Sequence, residues 1–319
     1  MKRTPIAVAL VAMAMTMAGV ASAQLPAAYG QGPAASPARA GAADAHAAHM
    51  HEPAAPAAAA QATPGNEALP ADEEGAKARL EKSSRHGEFI DVAVPGRPSP
   101  IKTFVVYPER KDKAPVVIVI SEIFGLSDWI RGVADQLAKE GFIAVAPDML
   151  SGKGPNGGGT ESFASRDDVV AKIRELTPPD VVTILDAVSA QAKKIPSGNG
   201  KIATIGFCWG GGQSFGYAVA SPSLSAAVVY YGTSPDAAKL ATVKAPVLGL
   251  YGGDDARVNA TIEPTSAEMK KLGKSYEPHI YDGAGHGFLR QLTGRDGANM
   301  KAAEQAWPAT LAFLRQHTK

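Results

Sequence analysis

From residue 86 onward, short apolar runs alternate with longer segments of helical period. Residues 89–94 and 101–107 read as two strands joined by a Pro/Gly-rich turn, a hairpin at a sheet edge. Residues 116–120 and 142–146 are continuous apolar runs, as expected of strands buried on both faces. Between them Trp129, Ile130, Val133, Ala134 and Leu137 recur at helical spacing, with Asp128 as the expected cap and Gly141 as the stop. Residues 152–160 form a glycine-rich stretch, read as a surface loop rather than a lid. It is not a phosphate loop, because Lys153 is not followed by Ser or Thr. Thr177 and Pro178 then open a helix carrying Val181, Val182, Leu185 and Val188. Strands are predicted at 226–231, 247–251 and 276–281, and helices at 262–272 and 300–317, the last kinked at Pro308. Strand alternating with helix predicts an α/β fold with a mostly parallel central sheet and helices on both faces.

The densest local signal lies at residues 202–212. An apolar run ends in Gly206-Phe207-Cys208-Trp209-Gly210, and a helix is predicted over residues 213–220. Glycines two residues before and after a reactive side chain mark the strand–turn–helix nucleophile elbow. The turn forces strained backbone angles on the apex, and the flanking positions have no room for a Cβ. A helix N-terminus aimed at Cys208 is expected to favour thiolate over thiol and to offer N–H groups to an oxyanion.

The N-terminal part reads differently. Lys2 and Arg3 precede an apolar stretch, and Ala21-Ser22-Ala23 offers a cleavage site, so residues 1–23 are read as a signal peptide. No later stretch is apolar enough to span a membrane. An exported protein, periplasmic or secreted, is expected. Residues 24–85 are rich in Ala and Pro and are read as a disordered linker, with a short surface helix over 73–84. His46, His49 and His51 lack carboxylate or cysteine partners at ligand spacing, so no metal is assigned to them. The catalytic domain is placed at 86–319. The 32 basic and 31 acidic residues give a net charge of +1, which supplies no reason to expect nucleic acid as a partner. Cys208 is the only cysteine, so no internal disulfide exists and no second thiol is present for redox chemistry.

In open α/β sheets the site lies beyond the C-terminal ends of the strands. The residues after those ends are Ser121, Glu122 and Ile123; Cys208; Asp254 and Asp255; and His286 between Gly285 and Gly287. The order nucleophile, acid, histidine is that of hydrolases with such an elbow. His286 is the candidate base, and a carboxylate must hold its tautomer. Asp255 is preferred for that role because Val258 follows at Asp-x-x-Val spacing; Asp254 stays as the alternative.

Four stretches carry a resemblance over residues 86–319: Ser121-Glu122-Ile123-Phe124-Gly125-Leu126, Ala146-Pro147-Asp148, Gly206-Phe207-Cys208-Trp209-Gly210-Gly211 and Gly283-Ala284-Gly285-His286-Gly287-Phe288. In these the chain resembles the dienelactone hydrolase family of α/β-hydrolases. The resemblance implies Cys208 as nucleophile, His286 as base, Asp255 as orienting acid and Glu122 as keeper of the thiol proton. It implies an oxyanion hole from the Ile123 and Trp209 amides. It places Arg290 as a substrate-binding arginine and Lys153 as a substitute for a second. The expected activity is cleavage of lactones or activated esters through an acyl-thioester, in a monomer acting on small molecules without cofactor or metal. The alternatives are a general carboxylesterase or thioesterase on uncharged esters, and an exported metal- or partner-binding protein on a hydrolase scaffold.

Overall fold

The computed structural model describes residues 66–319. The expected signal peptide, the histidine-bearing segment and most of the expected linker lie outside these residues. The described part begins with helix α1 (Glu73–Glu81), followed by the hairpin β1 (Gly87–Val92) and β2 (Ile101–Val106). Then come β3 (Ala114–Ile120), α2 (Asp128–Lys139), β4 (Ile143–Pro147), α3 (Arg166–Arg174), α4 (Pro178–Ala192), β5 (Gly198–Phe207) and α5 (Trp209–Ala220). The chain closes with β6 (Ala226–Tyr230), β7 (Val247–Gly252), α6 (Ala256–Asn259), α7 (Ile262–Lys271), β8 (Tyr276–Tyr281) and α8 (Ala298–His317). The strands form one eight-stranded sheet in the order β1-β2-β4-β3-β5-β6-β7-β8. Only β1 and β2 run antiparallel to their neighbours; β4 through β8 are joined in parallel.

The side-chain period of two explains the layers. On β3, Val117 and Val119 join α2 and α8 on one face, while Val116, Ile118 and Ile120 join α4 and α5 on the other. The same split recurs on β6, where Val228 and Tyr230 face one way and Ala227 and Val229 the other. Each fully buried Val or Ile contributes about 1.5–3 kcal/mol. These central strands therefore anchor the rim on which the site stands. Among the described residues no helix is long and apolar enough to cross a membrane.

Three details differ from expectation. Ser127, not Asp128, caps α2, accepting from the Ile130 amide; Asp128 is the first helical residue. The helix α3 was not foreseen, since only Val169 and Ile173 of its nine residues are buried. Residues 66–85 are packed onto the domain, so it begins before residue 86. Leu69 and Ala76 are buried, and Trp129 Nε1 and Arg79 Nη1 donate to the carbonyls of Ala71 and Leu69 at 3.1 and 2.7 Å. Such docking rests on polar contacts with backbone and leaves little apolar pattern in the sequence. The glycine-rich loop is pinned at its end: Asp148 accepts from both the Thr160 amide and its hydroxyl at 2.7 Å.

Candidate active site

Cys208 stands between the end of β5 and the start of α5, with φ 55° and ψ −117°. A non-glycine residue in this region is strained and persists only where its surroundings impose it. The imposition is visible at the neighbouring glycines. A Cβ on Gly206 would run into the backbone of Gly210, and one on Gly210 into the carbonyls of Ile120 and Ser121. The turn is thus wedged between β3 and the first turn of α5, and the Cys208 amide is tied to the Tyr230 carbonyl at 3.0 Å.

Glu122 and the backbone amides of Ile123 and Trp209 lie close to the sulfur, and the two amides favour its ionised form. The amides named from the sequence as an oxyanion hole therefore converge at the sulfur. The expected lowering of the thiol pKa does not hold. Burial, and then the nearby Glu122, push it up from 9.0 to about 11, against the pull of the two amides and of Arg257. Desolvation outweighs the helix N-terminus, and the resting group is a thiol.

His286 Nδ1 lies 2.5 Å from Asp255 Oδ2. Asp255 is buried, caps α6 and accepts from the Val258 amide, which accounts for the Asp-x-x-Val spacing. Asp254 instead pairs with Arg295 at 3.0 Å and is exposed. The choice between the two aspartates falls on Asp255. Gly252 admits the His286 loop closely, since a Cβ there would meet the carbonyls of Ala284 and Gly285. Asn299 Oδ1 accepts from the Gly285 amide at 2.9 Å and fixes the loop from α8. The Tyr231 ring lies 5.1 Å from the His286 ring, and Tyr231 carries a strained φ of 39°. Its hydroxyl is buried without a hydrogen-bond partner, near Glu122, Arg290 and Cys208. Among the described residues no hydrogen bond joins the sulfur to His286.

Glu122 is fully buried, and this raises its pKa from 4.5 to about 7, more than Arg290 lowers it. Arg290 Nε is 2.7 Å from Glu122 Oε2, an ion pair whose N–H is not aimed along a hydrogen bond. The other end of Arg290 binds Glu73. Arg290, expected from the resemblance to bind substrate, is held between two carboxylates and is only 11 % exposed. Lys153 is exposed, and its charge bears on Asp180 at the start of α4, not on Cys208. Glu73, Arg166, Tyr231 and Arg257 were missed. Arg257 alone carried a sequence signal, standing two residues after the acid.

The family's sequence model, "Dienelactone hydrolase family", matches residues 101–318. The chain belongs to the dienelactone hydrolase family. Membership makes it a hydrolase relative with an α/β-hydrolase fold. A Salmonella typhimurium protein is 31% identical over 237 residues, covering 70% of this chain and 86% of its own length. A Saccharolobus solfataricus protein is 32% identical over 249 residues, covering 69% and 95%. Both are named "Putative carboxymethylenebutenolidase". A crystal structure from Klebsiella pneumoniae bearing the dienelactone hydrolase name aligns with TM-score 0.64 at 27% identity, covering 73% of this chain and all of that one.

Proposed function

We propose that this chain hydrolyses small esters or lactones through Cys208, His286 and Asp255, by way of an acyl-thioester. The observation that carries the reading is the strained Cys208 at the elbow, with the Ile123 and Trp209 amides on its sulfur and a His286–Asp255 pair at the same rim. In the resting site the thiol keeps its proton beside Glu122. Glu122, with its pKa near neutrality, accepts that proton as substrate enters, and rotation about the Cys208 Cα–Cβ bond turns the sulfur toward the acyl carbon. The S–C bond forms and the carbonyl oxygen takes the negative charge on the two amides. Each such donor is worth about 2.7–4 kcal/mol.

Collapse breaks the acyl C–O bond, and Glu122 gives up the proton it took from the thiol to the leaving alkoxide; in a lactone that oxygen stays attached. His286 then takes a proton from water, hydroxide adds to the thioester, and the C–S bond breaks. The acid leaves and the thiolate recovers a proton from the His286 imidazolium, which restores the resting site. Asp255 holds the imidazole so that Nε2 is the working nitrogen. A thiolate leaves readily, so lactones and activated esters suit this site better than amides.

Cys208→Ala tests the reading. Loss of p-nitrophenyl ester and lactone hydrolysis with an unchanged circular dichroism spectrum is expected; retained turnover would remove Cys208 from the mechanism. With the signal-type N-terminus, this is read as an exported enzyme, checked by cell fractionation.

A further inference from the structure

Four charged side chains alternate in sign away from the thiol: Glu122, Arg290, Glu73 and Arg166. Arg290 Nη1 donates to Glu73 Oε2, while Arg166 Nη1 lies 2.8 Å from Glu73 Oε1. Each carboxylate oxygen of Glu73 thus takes a different guanidinium. Both guanidiniums stand over Phe124, with their central carbons 3.4 Å (Arg166) and 5.2 Å (Arg290) from the ring centroid. The Glu73 amide also donates to the Arg290 carbonyl at 2.9 Å. With Leu69 and Ala76 buried and Trp129 bonded to Ala71, Glu73 is held in place by the docked helix. A cleft of about 290 Å³ opens here, with Glu73, Phe124, Thr160, Phe163 and Arg166 in its walls.

Two guanidiniums on one aromatic face, one of them ion-paired with the acid beside the thiol, are a donor set suited to a carboxylate. In this chain an internal carboxylate already fills it. We propose that Glu73 is a specificity-determining residue, which occupies the Arg166–Arg290 clamp from within so that the site takes uncharged esters and lactones and rejects carboxylate-bearing ones. The proposal rests on Cys208 being the nucleophile. A substrate carboxylate would have to displace Glu73 against its backbone tie, or enter as a third anion beside Glu73 and Glu122.

The test compares kcat/KM for p-nitrophenyl valerate and mono-p-nitrophenyl glutarate, which share chain length and leaving group and differ by one terminal carboxylate. The wild-type chain should favour the valerate by about tenfold or more. In Glu73→Gln the glutarate-to-valerate ratio should rise by about tenfold, and Glu73→Asp should keep the wild-type preference. Adding Arg166→Gln to Glu73→Gln should cancel the rise. Should Glu73→Gln misfold, raising ionic strength on the wild type should narrow the preference, since the repulsion is screened. An unchanged ratio in folded Glu73→Gln, or no salt effect where that variant misfolds, overturns the proposal. So does a wild type that prefers the glutarate and loses that preference in Arg257→Gln. Equal hydrolysis of both esters sinks this inference alone, whereas hydrolysis of neither refutes the Cys208 reading and takes this one with it.

Discussion

The surroundings of Cys208 hold its side chain as a thiol at neutral pH. Burial and Glu122 raise the thiol from 9.0 to about 11. Two units correspond to about 2.7 kcal/mol and to a thiolate share at pH 7 roughly a hundredfold below that of an unperturbed thiol. Cys208 is the sole cysteine, so alkylation by iodoacetamide followed by intact mass reports on it alone. The rate should be measured from pH 6 to pH 11 on the folded protein and in urea. The pH dependence, not the absolute rate, separates ionisation from access. In the folded protein the rate should keep rising past pH 9 toward a midpoint near 11, while the unfolded chain levels off at an ordinary thiol value. Glu122→Gln should move the midpoint down, and Arg257→Gln should move it up. A folded-state midpoint below the unfolded one would refute the reasoning, because the helix N-terminus would then outweigh desolvation.

Further outcomes follow from the same geometry. Glu122 is raised from 4.5 to about 7, so the stability tied to its neutral form is complete below pH 4.5 and lost as pH climbs through 7. Urea unfolding should show Glu122→Gln gaining about 3 kcal/mol on the wild type between pH 4 and pH 8; a constant difference would remove the burial argument. Asp255→Asn should cut kcat by about three to four orders of magnitude, whereas Asp254→Asn, which touches Arg295, should stay within about threefold in ester hydrolysis. Equal effects of the two substitutions would contradict the pairing seen here. Gly210→Ala places a methyl against the Ile120 and Ser121 carbonyls, which no rotamer change can relieve. A loss of about 3 kcal/mol or more is expected, and an unaltered Tm would show that the wedge is soft.

The parts of the site set by local chemistry are legible in the sequence. Glycines flanking Cys208 announce the turn because its spacing is local, although only the Gly206 clash is with near neighbours and Gly210 is wedged against Ile120 and Ser121 of a distant strand. Val258 marks Asp255 because the same carboxyl group caps the helix that carries Val258. The direction of the thiol pKa was not legible: it depends on how deeply the thiol is buried and on the Glu122 carboxyl beside it, a product of strands far apart in sequence. The occupation of Arg290 was hidden more thoroughly, since its partner Glu73 is 217 residues away in a segment with almost no apolar pattern. Composition placed that segment in a linker because it measures apolar content, and α1 docks through Arg79, Trp129 and Glu73 instead.

That remote carboxylate bears on the chemistry through charge. Glu122 is buried with one close cation, and Arg290 acting on it alone would draw it toward the ionised form. Arg290 is shared with Glu73, whose own charge raises Glu122, while Arg166 lies farther along and pulls the other way. Burial is the largest influence throughout, and Glu122 comes to rest near pH 7, where an acid can take up a proton and return it at little cost. A lone Glu122–Arg290 pair would sit lower and hold the proton less well. The helix that composition assigned to a linker thus helps set the working pKa of the group beside the thiol, which is a reason to include α1 in any fragment used to study catalysis.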